Sequence, residues 1–181
     1  APLIGACWSV TGDSGSNPAT HFLGTTDAQP LVLRVDNQQA LRIEPPAESP
    51  NLVGGYSGNS VTSGRFGATI GGGGEPGAPN LVSGITGTVG GGRKNVASLS
   101  ATVSGGYKNT AGGAYSAVGG GDSNTASGSE SAVSGGALNC AGGDNSWAGG
   151  YRAKVRPKLD PGGSGSCSGL TYPGGFGDRG T

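Results

Sequence analysis

The chain has 181 residues, 41 of them glycine, and its 11 basic and 11 acidic side chains cancel to a formal net charge of zero. Balanced charge excludes the basic footprint selected by nucleic acids or anionic membranes, and its short apolar runs fall far short of the roughly 20 residues needed for a membrane-spanning helix. The glycines come in pairs and quartets and not at every third place, which excludes a collagen triple helix.

Taken in order, residues 1–20 are rich in Gly, Ser, Asn and Pro and read as a linker or attachment strand. Residues 21–50 form a β-hairpin module: Leu31, Leu33 and Val35 alternate with Val32, Arg34 and Asp36, then Leu41 and Ile43 alternate with Arg42 and Glu44. Between the two runs, Asp36-Asn37-Gln38-Gln39 reads as the hairpin loop, and Pro45-Pro46 ends the module.

Residues 51–155 are repetitive. Val89 is followed by Gly-Gly-Gly and, six positions on, by Asn95; Val103 leads in the same way to Asn109, Val118 to Asn124 and Val133 to Asn139. Val53 with Asn59 is an earlier relative, Ile70 opens a copy with an insertion before Asn80, and Trp147 opens a degenerate last copy. From Val89 to Trp147 the successive intervals are 14, 15, 15 and 14. A unit this short cannot hold the helical hairpin of the common helical repeats, which takes roughly 30 residues or more. It can hold two short strands and two tight turns, one coil of an all-β parallel β-roll of 14–15-residue repeats. Gly-Gly pairs and the Asn sites are where left-handed or otherwise special backbone angles cost least. Leu, Ile, Val and Phe are sparse along the chain, so the roll is narrow, and burial against copies of itself would supply what one column lacks. Residues 156–181 return to a Gly/Pro/Ser-rich tail, in which Tyr172 and Phe176 could dock on a neighbour.

Cys7, Cys140 and Cys167 make an odd count without metal-ligand spacing. They permit one disulfide with a leftover thiol, bonds between chains, or unpaired small residues in tight places.

The Val-Gly/Ser-Gly-Gly-x-x-Asn-x-Ala cycle resembles the head repeats of trimeric autotransporter adhesins, the YadA-like left-handed parallel β-roll, and related heads of bacteriophage tail fibres. Asn51–Val61 is similar to the first turns of such heads, Phe22–Asp27 with the hairpin to the short β module before them, and Trp147–Val155 to the closing coil. The resemblance covers about residues 20–155. It implies a homotrimer, an extracellular, cell-surface or virion location, and a stiff rod-like head; no cofactor is expected. The family usually continues into a neck, a coiled-coil stalk and an anchor or self-cleaving chaperone; no heptads follow Val155 in this sequence.

Chemistry is sparse. His21 is the sole histidine, and Asp13 and Asp27 show no spacing that favours acid–base pairing with it. Gly71–Gly74 and Gly119–Gly121 lack the Lys-Ser/Thr and helix start of a phosphate loop. Only Asp122 and Asp144 sit near glycine pairs, too few for a calcium roll. Tyr56, Tyr107, Tyr115, Trp147, Tyr151, Lys94 and Lys108 interrupt small side chains, as a strip for a host glycan or matrix protein or as packing between subunits. Thr62, Thr69, Thr86, Thr88, Thr102, Thr110 and Thr125 do not fall in one repeat column, which argues against the flat threonine array of ice-binding rolls. The leading expectation is a non-enzymatic, structural or adhesive extracellular fibre protein that can polymerise through its terminal segments. The alternative is a phage receptor-binding fibre segment.

Overall fold

In a computed structural model of the chain, the described residues are 14, 15, 17, 19–45 and 48–155. Cys7, Cys167, Asp13 and the tail 156–181 lie outside them.

The hairpin comprises β1 (Leu31–Val35) and β2 (Gln38–Glu44). Its loop is tighter than the Asp36-to-Gln39 stretch expected: Asp36 and Asn37 alone turn the chain, at φ 49° and 56°. Two left-handed residues form the mirror-image turn whose twist matches that of the strands it joins, and Asx residues tolerate that conformation best. Leu31 pairs with Ile43 and Leu33 with Leu41 before a bulge.

Seven coils follow, each with one strand in each of two sheets. They begin with β3 (Asn51–Gly54) and β4 (Ser60–Val61), then β5 (Thr69–Ile70) and β6 (Leu81–Val82). The regular coils are β7 (Thr88–Val89) with β8 (Val96–Ala97), β9 (Thr102–Val103) with β10 (Thr110–Ala111), and β11 (Ala117–Val118) with β12 (Thr125–Ala126). Last come β13 (Ala132–Ala137) with β14 (Cys140–Ala141), and β15 (Trp147–Tyr151) with β16 (Lys154–Val155). The first sheet has nine strands, β1-β2-β3-β5-β7-β9-β11-β13-β15; the second has seven, from β4 through the even-numbered strands to β16. Within the coils the pairing is parallel and in register, one coil upon the next. The chain is therefore a parallel β-solenoid with ~15-residue repeats, preceded by an antiparallel hairpin whose β2 pairs with β3.

Strand alternation sends one side chain inward and the next outward. The first sheet lines the interior with Val53, Ile70, Val89, Val103, Val118 and Val133, all at 1% exposure or less. The second faces them with Val82, Ala97, Ala111, Ala126 and Ala141, all at 0%. A valine wall against an alanine wall sets the narrow bore, and each buried valine contributes about 1.5–3 kcal/mol.

One expectation is corrected at the closing coil. Val133 pairs with Ala148, not Trp147, so that interval is one longer than the alignment on glycines implies. Further on, Gly136 pairs with Gly150, which places the one-residue deletion within the β13–β15 pairing, between Val133 and Gly136. A one-residue slip would turn the indole into a bore built for alanine and valine; instead Trp147 points out at 64% exposure.

A second correction concerns the asparagines. None of Asn59, Asn95, Asn109, Asn124 and Asn139 has a positive φ; at this corner of the regular coils the residue immediately before the asparagine does, namely Lys94, Lys108, Ser123 and Leu138 at φ 56–60°. The asparagines are there for their side chains.

Candidate functional site: the asparagine ladder and the outer faces

Six asparagines, Asn59, Asn80, Asn95, Asn109, Asn124 and Asn139, are buried at 1% exposure or less along one corner of the roll. Each Nδ2 donates to a glycine carbonyl of its own coil and to one of the next; for Asn109 these are Gly105 at 3.0 Å and Gly121 at 2.9 Å. Each Oδ1 accepts the backbone N–H one coil on, as from Asn109 to Asn124 at 3.0 Å. The ladder starts at Asn59, which bonds Gly54 and Gly73, and ends at Asn139, whose Oδ1 accepts the N–H of Ala153 at 2.8 Å. A primary amide suits this corner because it offers both donors and acceptor without a charge to bury.

The two ends of the ladder differ. In later coils the asparagine carbonyl accepts the N–H of a residue in the preceding coil, as Asn80 does from Ser60. At Asn59 no earlier coil exists, and Arg42 takes its place: Nη2 donates to the Asn59 carbonyl at 3.1 Å while Nε bonds Glu44 at 2.8 Å. Arg42 is in register with inward-facing Val53, so the hairpin carries a polar cap over the mouth of the roll. Sequence reading placed Arg42 only as an alternating strand residue; its long-range partner leaves no local signature.

A second buried column precedes the strands of the first sheet. It holds Ala68, Ala101, Ser116 and Ser131, each at 1% exposure or less. Ser116 and Ser131 return their hydroxyls to the Gly113 and Gly128 carbonyls, each at 2.7 Å.

Outside, Leu31, Ile43, Leu52, Thr69, Thr88, Thr102, Ala117, Ala132 and Trp147 form one row across the nine-stranded sheet, in register from strand to strand. No charged side chain stands in it. Thr69, Thr88 and Thr102 share a column here while Thr110 and Thr125 pair on the other sheet, so the threonines do not all fall in one column. The coils that looked unequal in sequence differ only in their corners, so their strands stay aligned.

The aromatic and basic residues do not form one strip. Arg93, Tyr107, Asp122 and Ala137 stack by parallel bridges at the asparagine corner, and Tyr151 pairs next to Ala137. The Arg93 guanidinium lies 5.1 Å from the Tyr107 ring centroid and bonds Glu75 at 2.8 Å. Lys94 and Lys108 follow in left-handed turns there, Tyr115 occupies the other turn of its coil at φ 58°, and Tyr56 is half-buried in the first coil.

Of the other candidates, His21 is exposed and its Nδ1 accepts the N–H of Asn17 at 3.1 Å. Asp122 accepts the Ser123 hydroxyl, and Asp144 the N–H of Ser129. Among the described residues no group of three or more His, Cys, Asp or Glu could hold a metal ion, and no helix is long and apolar enough to cross a membrane. Cys140 is disulfide-bonded. Family models, curated proteins and solved structures all give no match to the chain.

Proposed function

We propose that the protein is a structural or adhesive extracellular fibre segment, a left-handed β-roll that associates side by side as a homotrimer. The observation that carries this reading is the uncharged row on the nine-stranded sheet, running from Leu31 to Trp147. Leu33, Leu52 and Trp147 are exposed at 40%, 42% and 64% toward the two ends of that sheet, and the threonines and alanines between them keep the face uncharged and low, which suits close association with another copy. The thin Val/Ala bore supports the same conclusion, because apolar burial between subunits would add to what each roll gains alone. The ridges bearing Tyr107, Tyr151, Lys94 and Lys108 are then repeated threefold around the assembly, so weak contacts to a surface glycan or matrix protein multiply. The role is mechanical: coils locked by backbone bonds and the asparagine ladder hold those ridges at fixed spacing.

Sedimentation or native mass measurement tests the reading. The expected species is three chains of 17.3 kDa, and Ala117→Arg, an exposed position within the row, is expected to release folded monomers with unchanged β-sheet circular dichroism. A wild-type monomer at micromolar concentration refutes it.

A further inference from the structure

We propose that a glycine trough on one flank of the first sheet receives the apolar ridge on the other flank of a second copy, so that neighbouring rolls run parallel and meet by unlike flanks. This rests on the side-by-side association proposed above and adds its polarity and its contact residues. The trough is a column of five glycines, Gly72, Gly91, Gly105, Gly120 and Gly135, one per coil, each with its carbonyl bonded by a ladder asparagine. Neighbouring glycines have a reason inside the roll: a Cβ on Gly90 or Gly92 would strike a carbonyl of the next coil. Gly120 and Gly135 hold φ of 132° and 147°, which L side chains rarely adopt. Gly72, Gly91 and Gly105 have neither reason. Their φ is not positive, and a Cβ on Gly72 or Gly91 meets nothing within 4 Å, while one on Gly105 makes only ordinary contact at 3.8 Å. The fold of a single roll would take alanine at all three. Bare backbone kept in successive coils, at an entropic cost, marks a place where another chain comes close.

The ridge lies where the chain turns from the second sheet back to the first. Thr86, Ser100, Tyr115 and Glu130 donate their N–H groups to the carbonyls of Phe66, Ile85, Leu99 and Ala114, which stacks those four one per coil. Leu99 is 42% exposed and Tyr115, next to Ala114, 64%; Phe66 and Ile85 are half-buried. These bulky side chains stand outside the bore.

Three relations make a second copy the occupant. Ridge and trough flank the same sheet, at opposite ends of its strands, with the uncharged row of Thr69, Thr88 and Thr102 between them, so the three form one continuous surface. They also stand at the same height. Each ridge residue follows a strand of the second sheet and precedes the next strand of the first, so Ile85 falls between the levels of Gly72 and Gly91, and Leu99 between those of Gly91 and Gly105. With coils ~4.8 Å apart, the side chains of one copy drop between the glycines of the other. Finally, parallel copies turned about a common axis bring the ridge of each to the trough of the next and close a ring; antiparallel copies would set ridge against ridge.

In the test, full chains carrying Leu99→Cys are co-expressed with chains carrying Gly105→Cys, oxidised mildly in the native state and mapped with trypsin without reduction. Both substitutions fall in peptide 95–108 and give it different masses. The expected product is a link between the two unlike peptides. Links between like peptides mean that like flanks meet, and overturn the proposal. A trimer with no link at either position overturns it while leaving the side-by-side association standing; a monomer overturns both. Blocking the trough gives a second readout by sedimentation. Gly105→Gln is expected to weaken association about tenfold, and Gly112→Gln, at an exposed glycine just after β10, to leave it unchanged. A Cβ at either position meets only ordinary contacts, so both variants fold; equal effects of the two on association overturn the proposal.

Discussion

Replacing Asn109 with alanine probes the ladder at its centre. The side chain donates to the Gly105 and Gly121 carbonyls and accepts the N–H of Asn124. The Gly121 carbonyl keeps a second partner, the Tyr107 N–H at 2.9 Å, so the substitution strips the Gly105 carbonyl and the Asn124 N–H. Each buried polar group left unpaired costs about 1–3 kcal/mol, and the lost packing of the amide adds to that, for a total of roughly 3–5 kcal/mol. In a stack held by nearest-neighbour contacts, the damage is local: hydrogen exchange should quicken in the coils of Asn95, Asn109 and Asn124 before those at either end. Asn109→Asp should be no better at neutral pH, since it sets a carboxylate against two carbonyls and removes both donors. Thr110→Ala, one residue along on the outer face, should change stability by less than about 1 kcal/mol. Urea denaturation of the three variants, with exchange measured under native conditions, checks this. An Asn109→Ala protein no less stable than Thr110→Ala would refute the claim that the ladder holds the coils together.

Gly106 and Gly91 make a matched pair. Gly106 sits at φ 88°, where a Cβ would run into the Gly121 carbonyl, whereas a Cβ on Gly91 meets nothing within 4 Å. Gly106→Ala should therefore cost about 3 kcal/mol or more and Gly91→Ala almost nothing, as thermal melts would show. Arg42→Ala should cost about 1.5–3 kcal/mol through the charge-assisted bonds to Asn59 and Glu44, with faster exchange confined to the first coils; uniform loosening along the roll would argue against a capping role.

Much of the roll is legible in the residues because its constraints are local and repeated. Val103 in and Thr102 out is a rule of strand alternation, and the same rule recurring from copy to copy at a near-constant interval can mean little but stacked coils. The hairpin is equally plain in the alternation from Leu31 to Glu44, although not its tight Asp36-Asn37 turn. Other features resist such reading. Trp147 occupies the place of a valine when the last copy is aligned on its glycines, and only strand pairing shows that the missing residue lies after the Val133–Ala148 pair. The asparagines look like turn residues, because a turn preference is what their type most often signals.

Sequence alone settled that the chain is a β-solenoid with a hairpin before it, since period, alternation and glycine placement are properties of neighbouring residues. Only the tertiary structure decided what the asparagines do, that Arg42 closes the mouth of the roll, and that Leu31 through Trp147 share one uncharged row. Each of these depends on which coil lies beside which, and so on contacts between distant stretches of chain, where register and not composition chooses the partner.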